Sequence, residues 1–195
     1  MTALAIEYLD GAGLRARRAE VLTVYQQVYA DQLADPFRTP ALFWSRLEVH
    51  AGHEGFSMVA GRVGDDLVGF ALGRPLPPGS RWWARLQGPH RHDTDFLRED
   101  GHRTFALNEL MVHPTWRGRG FGRTLHDAVL THRPEQRATL LVRQDNEPAR
   151  SAYPRWGWQA IGQIQPAPDL PFFDVLMRQP AAGVAPGTHG RGTGR

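Results

Sequence analysis

The chain has 195 residues with 23 basic and 20 acidic side chains, and it contains no cysteine. All 23 basic residues are arginines, and three of them follow the last acidic residue, Asp174, which leaves 20 arginines against 20 acids before that point. This composition excludes disulfide frameworks, thiol nucleophiles, cysteine metal sites and lysine-dependent chemistry, and the neutral body predicts no nucleic-acid partner.

Targeting and membrane signals are missing from the sequence. Its first residues lack the basic and long apolar segments of a signal peptide, and no apolar run reaches the roughly 18 residues of a membrane span. We therefore expect a cytoplasmic protein with no membrane partner. The length suits one domain, placed at residues 1–179. Residues 180–195 are mostly small residues and proline, which predicts a disordered tail.

Apolar spacing in the first part of the chain predicts a strand, two helices and a hairpin. A turn at Asp10-Gly11 follows the first strand, and Thr39-Pro40 has the pattern of a helix start. The predicted elements are a strand at 4–9, a helix at 14–33, a helix from Thr39 to His50, and hairpin strands at 56–63 and 67–72.

Residues 75–104 show no sustained period and form a long predicted loop, with a short helix near residues 95–99 as an alternative. Loops of this length in a domain are more often functional or mobile than neutral. The adjacent Trp82 and Trp83 should point in different directions, so one of them lining a pocket and simple packing of the loop both stay open. His90-x-His92 lies in an arginine-rich loop, where such histidines are more often exposed to solvent than bound to a metal, so we expect no metal.

The second part of the chain predicts alternating strands and helices. A short helix opens at Asn146 and Pro148 and ends at Gly157. The other predicted elements are strands at 105–112, 138–142, 161–164 and 173–177, and a helix at about 121–132.

A glycine-rich turn between a strand and a helix is the most informative segment. Alternate glycines allow successive backbone N–H groups to point at one spot, and the following helix adds its own unpaired N–H groups and positive dipole end. Flanking guanidinium groups add donors, so the turn predicts a phosphate or pyrophosphate site. Arg123 occupies the glycine positions that the Walker and Rossmann patterns require, which excludes both.

Two motifs carry a family resemblance. Arg117-x-x-Gly120-x-Gly122, after a strand ending Val112-x-Pro114, resembles the acetyl-CoA-binding motif of the GNAT superfamily of N-acetyltransferases. The later segment Val142-Arg143-x-x-Asn146-x-Pro148-Ala149-x-x-x-Tyr153-x-x-Trp156-Gly157-Trp158 resembles the second hallmark of that family. The motifs occur in the order that the family uses, and the similarity covers nearly the whole chain.

The resemblance implies an α/β GNAT fold, with a mixed central sheet of about six to seven strands, a splayed parallel pair and about four flanking helices. It implies an N-acetyltransferase that transfers acetyl from acetyl-CoA directly to a primary amine, for which we expect a small-molecule acceptor. A non-catalytic acyl-CoA-binding or regulatory domain on the same fold is the alternative. A homodimer also stays open.

By the same resemblance, main-chain groups and nearby side chains hold the cofactor. Asn146 has an ordinary helix cap as its alternative role. The implied cofactor residues are Leu110, Met111, Val112, Arg117, Gly118, Arg119, Gly120, Phe121, Gly122, Arg123 and Asn146.

Two side chains are the candidate catalytic groups. Tyr153 matches the family's general acid, which protonates the leaving thiolate, although Pro154 should kink or shorten its helix. Glu109 lies among apolar residues of a central strand, where desolvation should raise its pKa toward that of a useful base. For each group a purely structural role is the alternative. The acceptor pocket is expected around residues 25–50 and 75–104, with Tyr29, Trp82 and Trp83 as candidate contacts.

Overall fold

The computed structural model describes residues 3–131, 133–167 and 170–179, which form a mixed seven-stranded sheet with helices on both faces. The strands are β1 Ala5–Leu9, β2 Ser57–Val63, β3 Asp66–Pro75, β4 Thr104–Val112, β5 Arg137–Arg143, β6 Gln159–Ile164 and β7 Phe173–Arg178. The α-helices are α1 Gly11–Ala16, α2 Arg18–Val28, α3 Pro40–Ala51, α4 Thr94–Leu97, α5 Phe121–Leu130 and α6 Glu147–Arg155. Short 3-10 helices occupy Ala30–Gln32, Pro36–Arg38 and Pro114–Trp116.

The sheet has the strand order β1-β2-β3-β4-β5-β7-β6, and its pairs are antiparallel except for β4 and β5. The parallel pairing covers only Thr104 to Ala106 of β4, opposite Arg137 to Thr139 of β5. Beyond this point the two strands diverge. The structure thus confirms the predicted mixed sheet with a splayed parallel pair.

Each face of the sheet has its own hydrophobic core. On one face, α2 and α3 bury Tyr25, Phe43 and Leu47 against β2 and β3. On the other face, Leu125 and Val129 of α5 pack with apolar residues of β4, β5 and β7. These two clusters pack on opposite faces of the sheet, and a third cluster packs the long loop, through Trp83 and Leu86, against Ala106, Ile164 and Val175.

The predicted helix at 14–33 is divided in the structure. Asp10 caps α1 through its side chain, which accepts the N–H of Gly13 at 2.8 Å, so the predicted turn at Asp10-Gly11 begins a helix. Arg17 leaves helical geometry, and its guanidinium contacts Glu7 and the carbonyl of Gly13. Gly11 allows the start of α1 to pack closely on the end of α3, because a Cβ at this position would lie 2.6 Å from the carbonyl oxygen of Ala51.

The long loop of residues 75–104 is fixed to the sheet by a buried polar cluster. Oε1 of Glu99 accepts hydrogen bonds from Trp83 Nε1 at 2.8 Å, Thr104 Oγ1 at 2.8 Å and Arg137 Nη2 at 3.0 Å. Glu99 and Arg137 are both buried, so each charge depends on the other. The short helix predicted near residues 95–99 is α4, which with α1 accounts for the helices beyond the four expected.

Two predictions fall on residues outside the described ranges. The predicted disordered tail, residues 180–195, is one. The other is His132, at the end of the predicted helix 121–132, whose described part ends at Leu130.

Candidate active site

The glycine turn leads from β4 into α5 with two residues in the left-handed region. Gly118 has φ +74° and Gly120 has φ +82°, conformations that L side chains rarely adopt. Gly120 is the N-cap of α5. A Cβ built on either glycine would meet no atom within 4 Å, so side chains here would fill an open hollow in front of the helix.

Backbone donors face this hollow. Among the described residues, no partner accepts the N–H groups of residues 118–123, whereas the next N–H, that of Thr124, bonds the carbonyl of Gly120 at 3.1 Å. The unpaired donors coincide with the positive end of the α5 dipole. This arrangement fits the pyrophosphate of coenzyme A.

The three arginines beside the hollow are held by the protein itself. Arg117 Nε donates to the carbonyl of Val112 at 3.2 Å, and Arg119 lies over the ring of Trp116 at 4.8 Å. Arg123 pairs with Asp127 one turn along α5, at 2.5 Å. Their guanidinium groups therefore border the turn in defined positions, and the main chain supplies the central donors. Phe121 is buried behind the turn, near the ring of Trp116.

A slot continues from the turn into the sheet. Past Ala106, β4 pairs with no described residue on the side of β5, so the main-chain groups of Leu110, Met111 and Val112 border an open gap. Leu110 and Val112 pack into the α5 core, and Met111 packs into the opposite core. The gap suits a thin, amide-bearing arm that pairs with strand main chain.

Glu109 lies beside a β-bulge in β4. Leu72 of β3 pairs with Glu109, and the next residue, Gly73, pairs with Leu107, so Asn108 is the extra residue. Burial raises the pKa of Glu109 to about 7, while the positive charge of Arg46 acts in the opposite direction. At neutral pH this carboxyl group therefore exchanges protons readily, as a general base must.

Tyr153 lies on α6 and is buried. Burial raises the pKa of its hydroxyl well above the usual value of about 10, and the charge of Glu109 raises it further. The hydroxyl is thus protonated near neutral pH, and it lies within the electrostatic reach of Glu109. The structure thus places the two candidate catalytic groups near enough for the charge of one to affect the other. The proline after Tyr153 coincides with an early helix end, at Arg155.

Tyr29 also lies within electrostatic reach of Glu109. Burial raises the pKa of Tyr29, and the charge of Glu109 is the next largest cause. Its ring lies 5.0 Å from that of Tyr25, and the guanidinium of Arg38 lies over it at 4.7 Å. The hydroxyl of Tyr25 donates to the carbonyl of Arg38 at 2.8 Å. Tyr25, Tyr29 and Arg38 therefore form one packed group near Glu109.

The two tryptophans of the long loop have different surroundings. Their rings lie at 81° to one another, as expected for adjacent indoles. Trp83 is buried, and its indole N–H is occupied by Glu99, so this side chain packs the loop onto the body. Trp82 is half-buried, and its Nε1 has no partner among the described residues.

Asn146 is the N-cap of α6, because its Oδ1 accepts the N–H of Ala149 at 3.3 Å. The structure thus shows the capping role that sequence reasoning kept as an alternative, and a contact with the cofactor stays a prediction. In the loop, His90 stacks on Phe96 at 3.9 Å. No group of three or more potential metal ligands occurs within the described ranges.

Sequence reasoning missed two residues near Glu109. Arg46 is exposed on α3, and its charge reaches the carboxyl group. Oδ1 of Asn108 is enclosed and has no partner in the described part of the chain. No local pattern identifies either residue, since Arg46 is distant in sequence and the bulge depends on the register with β3.

Comparisons with known proteins agree with this geometry. The model of the acetyltransferase (GNAT) family matches residues 19–158, while none of the curated proteins matches the sequence significantly. No helix in the described ranges has the length and apolarity needed to cross a membrane.

Solved structures share the fold at low identity. The ribosomal-protein-S18-alanine N-acetyltransferase of Escherichia coli is 15% identical with a TM-score of 0.60, covering 94% of this chain and 97% of that one. An acetyltransferase of Thermus thermophilus is 13% identical with a TM-score of 0.61, covering 91% and 97%. The PaiA N-acetyltransferase of Thermoplasma acidophilum, solved with coenzyme A, is 11% identical with a TM-score of 0.54, covering 91% and 99%. With the family model matching more than half of its length, the chain belongs to the acetyltransferase (GNAT) family.

Proposed function

We propose that this protein is an N-acetyltransferase that moves the acetyl group of acetyl-CoA directly to the primary amine of a small-molecule acceptor. The observation that carries the proposal is that Glu109, on the open stretch of β4 that borders the slot, lies within electrostatic reach of Tyr153, with pKa values shifted in the directions that a base and an acid require. The glycine turn at the end of that slot supports coenzyme A as the carrier.

The chain's own groups divide the chemistry as follows. The main-chain N–H groups of residues 118–123 bind the pyrophosphate, and the open edge of β4 aligns the pantetheine arm and the acetyl carbonyl. Glu109, directly or through water, takes a proton from the acceptor's ammonium group. The neutral amine then forms the C–N bond as the C–S bond breaks, and Tyr153 gives its proton to the leaving thiolate. The nitrogen of the new amide loses its extra proton to Tyr153, directly or through water, which restores the hydroxyl.

The acceptor enters from the side of α2 and the long loop. Tyr29, with Arg38 over its ring, lies on one side of this entrance near Glu109, and Trp82 on the loop has an indole donor with no partner among the described residues. A half-buried, partly aromatic entrance of this kind suits a small molecule better than a folded protein surface.

Thiol release from acetyl-CoA, measured with a broad panel of amines, tests the proposal. We expect release that depends on the amine, and mass spectrometry should show one acetyl group added to it. Calorimetric binding of coenzyme A without thiol release for any amine would instead support a non-catalytic acyl-CoA-binding domain. Binding of ATP but not coenzyme A would contradict both functions.

A further inference from the structure

Three rings enclose the ring of Tyr153. Trp156 and Trp158 meet it edge-on at centroid distances of 5.5 and 5.9 Å, and His126 of α5 lies 6.4 Å away. The hydroxyl of Tyr153 has no hydrogen-bond partner among the described residues. Its direction is therefore set by how these rings pack.

The helix that carries Tyr153 gives it little support. Pro154 follows directly and has no N–H to bond the carbonyl one turn earlier, and α6 ends at Arg155. The carbonyl of Tyr153 instead accepts the N–H groups of Trp156 at 2.9 Å and Trp158 at 3.1 Å. Placement of this tyrosine depends on the two indoles that follow it.

His126 links those indoles to α5. It is fully buried, and its Nε2 accepts the indole N–H of Trp158 at 2.8 Å. Because an indole N–H only donates, the proton of the neutral imidazole is on Nδ1, which donates to Asp127 Oδ1 at 2.8 Å. Burial lowers the pKa of His126 to about 4, so the ring is neutral at pH 7 and both nitrogens are occupied. The imidazole also packs on Trp156 at 4.8 Å.

The same series of contacts extends from His126 to the glycine turn. Asp127 pairs with Arg123 in the first turn of α5, and the Arg123 guanidinium lies 5.7 Å from the centre of the Trp156 ring. A Cβ added to Gly122 would lie 3.7 Å from Val112 and 3.9 Å from Trp156. The phosphate-facing turn and the enclosure of Tyr153 are therefore one packed unit.

We propose that His126 is a positioning residue that orients the hydroxyl of Tyr153 through its hydrogen bond to Trp158. His126 is itself held by Asp127, which pairs with Arg123 in the cofactor turn. The role rests on the proposed acetyl transfer, in which Tyr153 protonates the thiolate. His126 itself does not touch the reacting atoms. A shift of about 1 Å in a catalytic group can cost about 100-fold in rate, so the effect should be large enough to measure.

The kinetic test compares His126→Leu with His126→Gln. Leu removes both hydrogen bonds, and we expect kcat to fall about 10- to 100-fold while the KM for acetyl-CoA changes less than about threefold. Gln can place an amide oxygen near the position of Nε2 and accept from Trp158, so it should restore most of the rate. Trp158→Phe, which deletes the same bond from the other side, should resemble His126→Leu.

A double-variant cycle separates positioning from general loosening of the fold. If His126 acts through the Tyr153 hydroxyl, His126→Leu should cost almost nothing further in a Tyr153→Phe background. Equal losses of kcat in both backgrounds would overturn the proposal. Val129→Ala, a truncation of another buried α5 residue, is the matched control for lost packing, and its effect should be the same in both backgrounds.

A spectroscopic measurement tests whether His126 positions Tyr153 without relying on enzyme turnover. The chain has four tyrosines, so labelling with 3-fluorotyrosine gives four fluorine resonances, and Tyr153→Phe identifies the one of interest. In His126→Leu we expect the Tyr153 resonance to shift or broaden, and in His126→Gln to return toward its original position. An unchanged Tyr153 resonance in His126→Leu would overturn the proposal. If the unaltered protein releases no thiol with any amine, the proposed function fails, and this spectrum still tests the positioning.

Discussion

The turn at residues 117–123 presents main-chain N–H groups to its ligand site, whereas the centre of β4 gathers side chains from several distant segments around Glu109. In the turn, conformation is decisive, because two glycines with positive φ create the hollow and no particular side chain is needed at its centre. Around Glu109, side-chain chemistry is decisive, because the charge of Arg46 acts on the pKa of Glu109, whose own charge acts on the pKa values of Tyr153 and Tyr29. Tyr153, Arg46 and Tyr29 come from α6, α3 and the C-cap of α2, respectively. Cofactor binding at the turn should therefore change little when side chains there are altered. The catalytic rate should change strongly when a single side-chain atom near Glu109 is altered.

Removal of one oxygen atom at Tyr153 is the strongest way to test this contrast. Tyr153→Phe keeps the ring among Trp156 and Trp158 but removes the proton donor, so kcat should fall about 10²- to 10⁴-fold. Steady-state thiol release should show this loss with little change in the KM for acetyl-CoA. A loss confined to KM would mean that Tyr153 binds the cofactor and does not protonate the thiolate.

Glu109→Gln removes the base while preserving shape, and we expect a loss of about 10²-fold in kcat/KM at pH 8. With a pKa of about 7, the carboxyl group of the unaltered protein becomes a competent base as pH rises. Its kcat/KM should therefore rise through pH 7 and level off, and the variant should lack this rise. A rise that survives in Glu109→Gln would assign the base elsewhere.

The same raised pKa has a consequence for stability. The folded state holds the Glu109 proton more tightly than the unfolded chain, so its contribution to stability is present at low pH and is lost as pH rises from about 4.5 to about 7. The melting temperature of Glu109→Gln minus that of the unaltered protein should therefore be larger at pH 8 than at pH 4. Melting curves at the two pH values give this comparison.

A backbone change tests the other member of the contrast. Gly120→Ala places an L side chain at φ near +82°, a strain of about 1 to 2 kcal/mol, so the free turn should relax to another conformation. Because the binding conformation must then be restored at that cost, coenzyme A should bind about tenfold more weakly. Calorimetry measures this directly. Arg119→Gln is the control at the same turn, and it should change affinity less than about threefold, because its guanidinium only stacks on Trp116. A larger effect for Arg119→Gln would show that side chains dominate here as well.

Sequence reasoning was successful where function depends on neighbours in the chain. The turn and the helix starts at Thr39 and Asn146 follow from local spacing, since glycine freedom and capping chemistry act over a few residues. The diverging parallel pair was implied by the family resemblance and not by local spacing. The rings around Tyr153 could not be predicted from the sequence, because His126 and Trp158 are distant along the chain and come into contact only in the folded structure. The burial of Trp83 was equally unpredictable, since it depends on the distant pair of Glu99 and Arg137.

The smallest expected effect concerns long-range charge in the side-chain region. Arg46 is exposed, and its positive charge lowers the pKa of Glu109 against the effect of burial. Arg46→Gln should therefore move the rise of kcat/KM to higher pH and reduce kcat/KM at pH 7 less than about fivefold, because solvent weakens such interactions to about 1 kcal/mol or less. A rate profile across pH 5.5 to 9, recorded for both proteins, measures the shift, which should be smaller at high salt.

The control is Arg18→Gln. This variant removes a charge on the neighbouring helix α2, where Arg18 lies over the ring of Trp44, and it should leave the pH profile in place. Equal shifts for both variants would mean that net charge, and not the position of Arg46, governs Glu109.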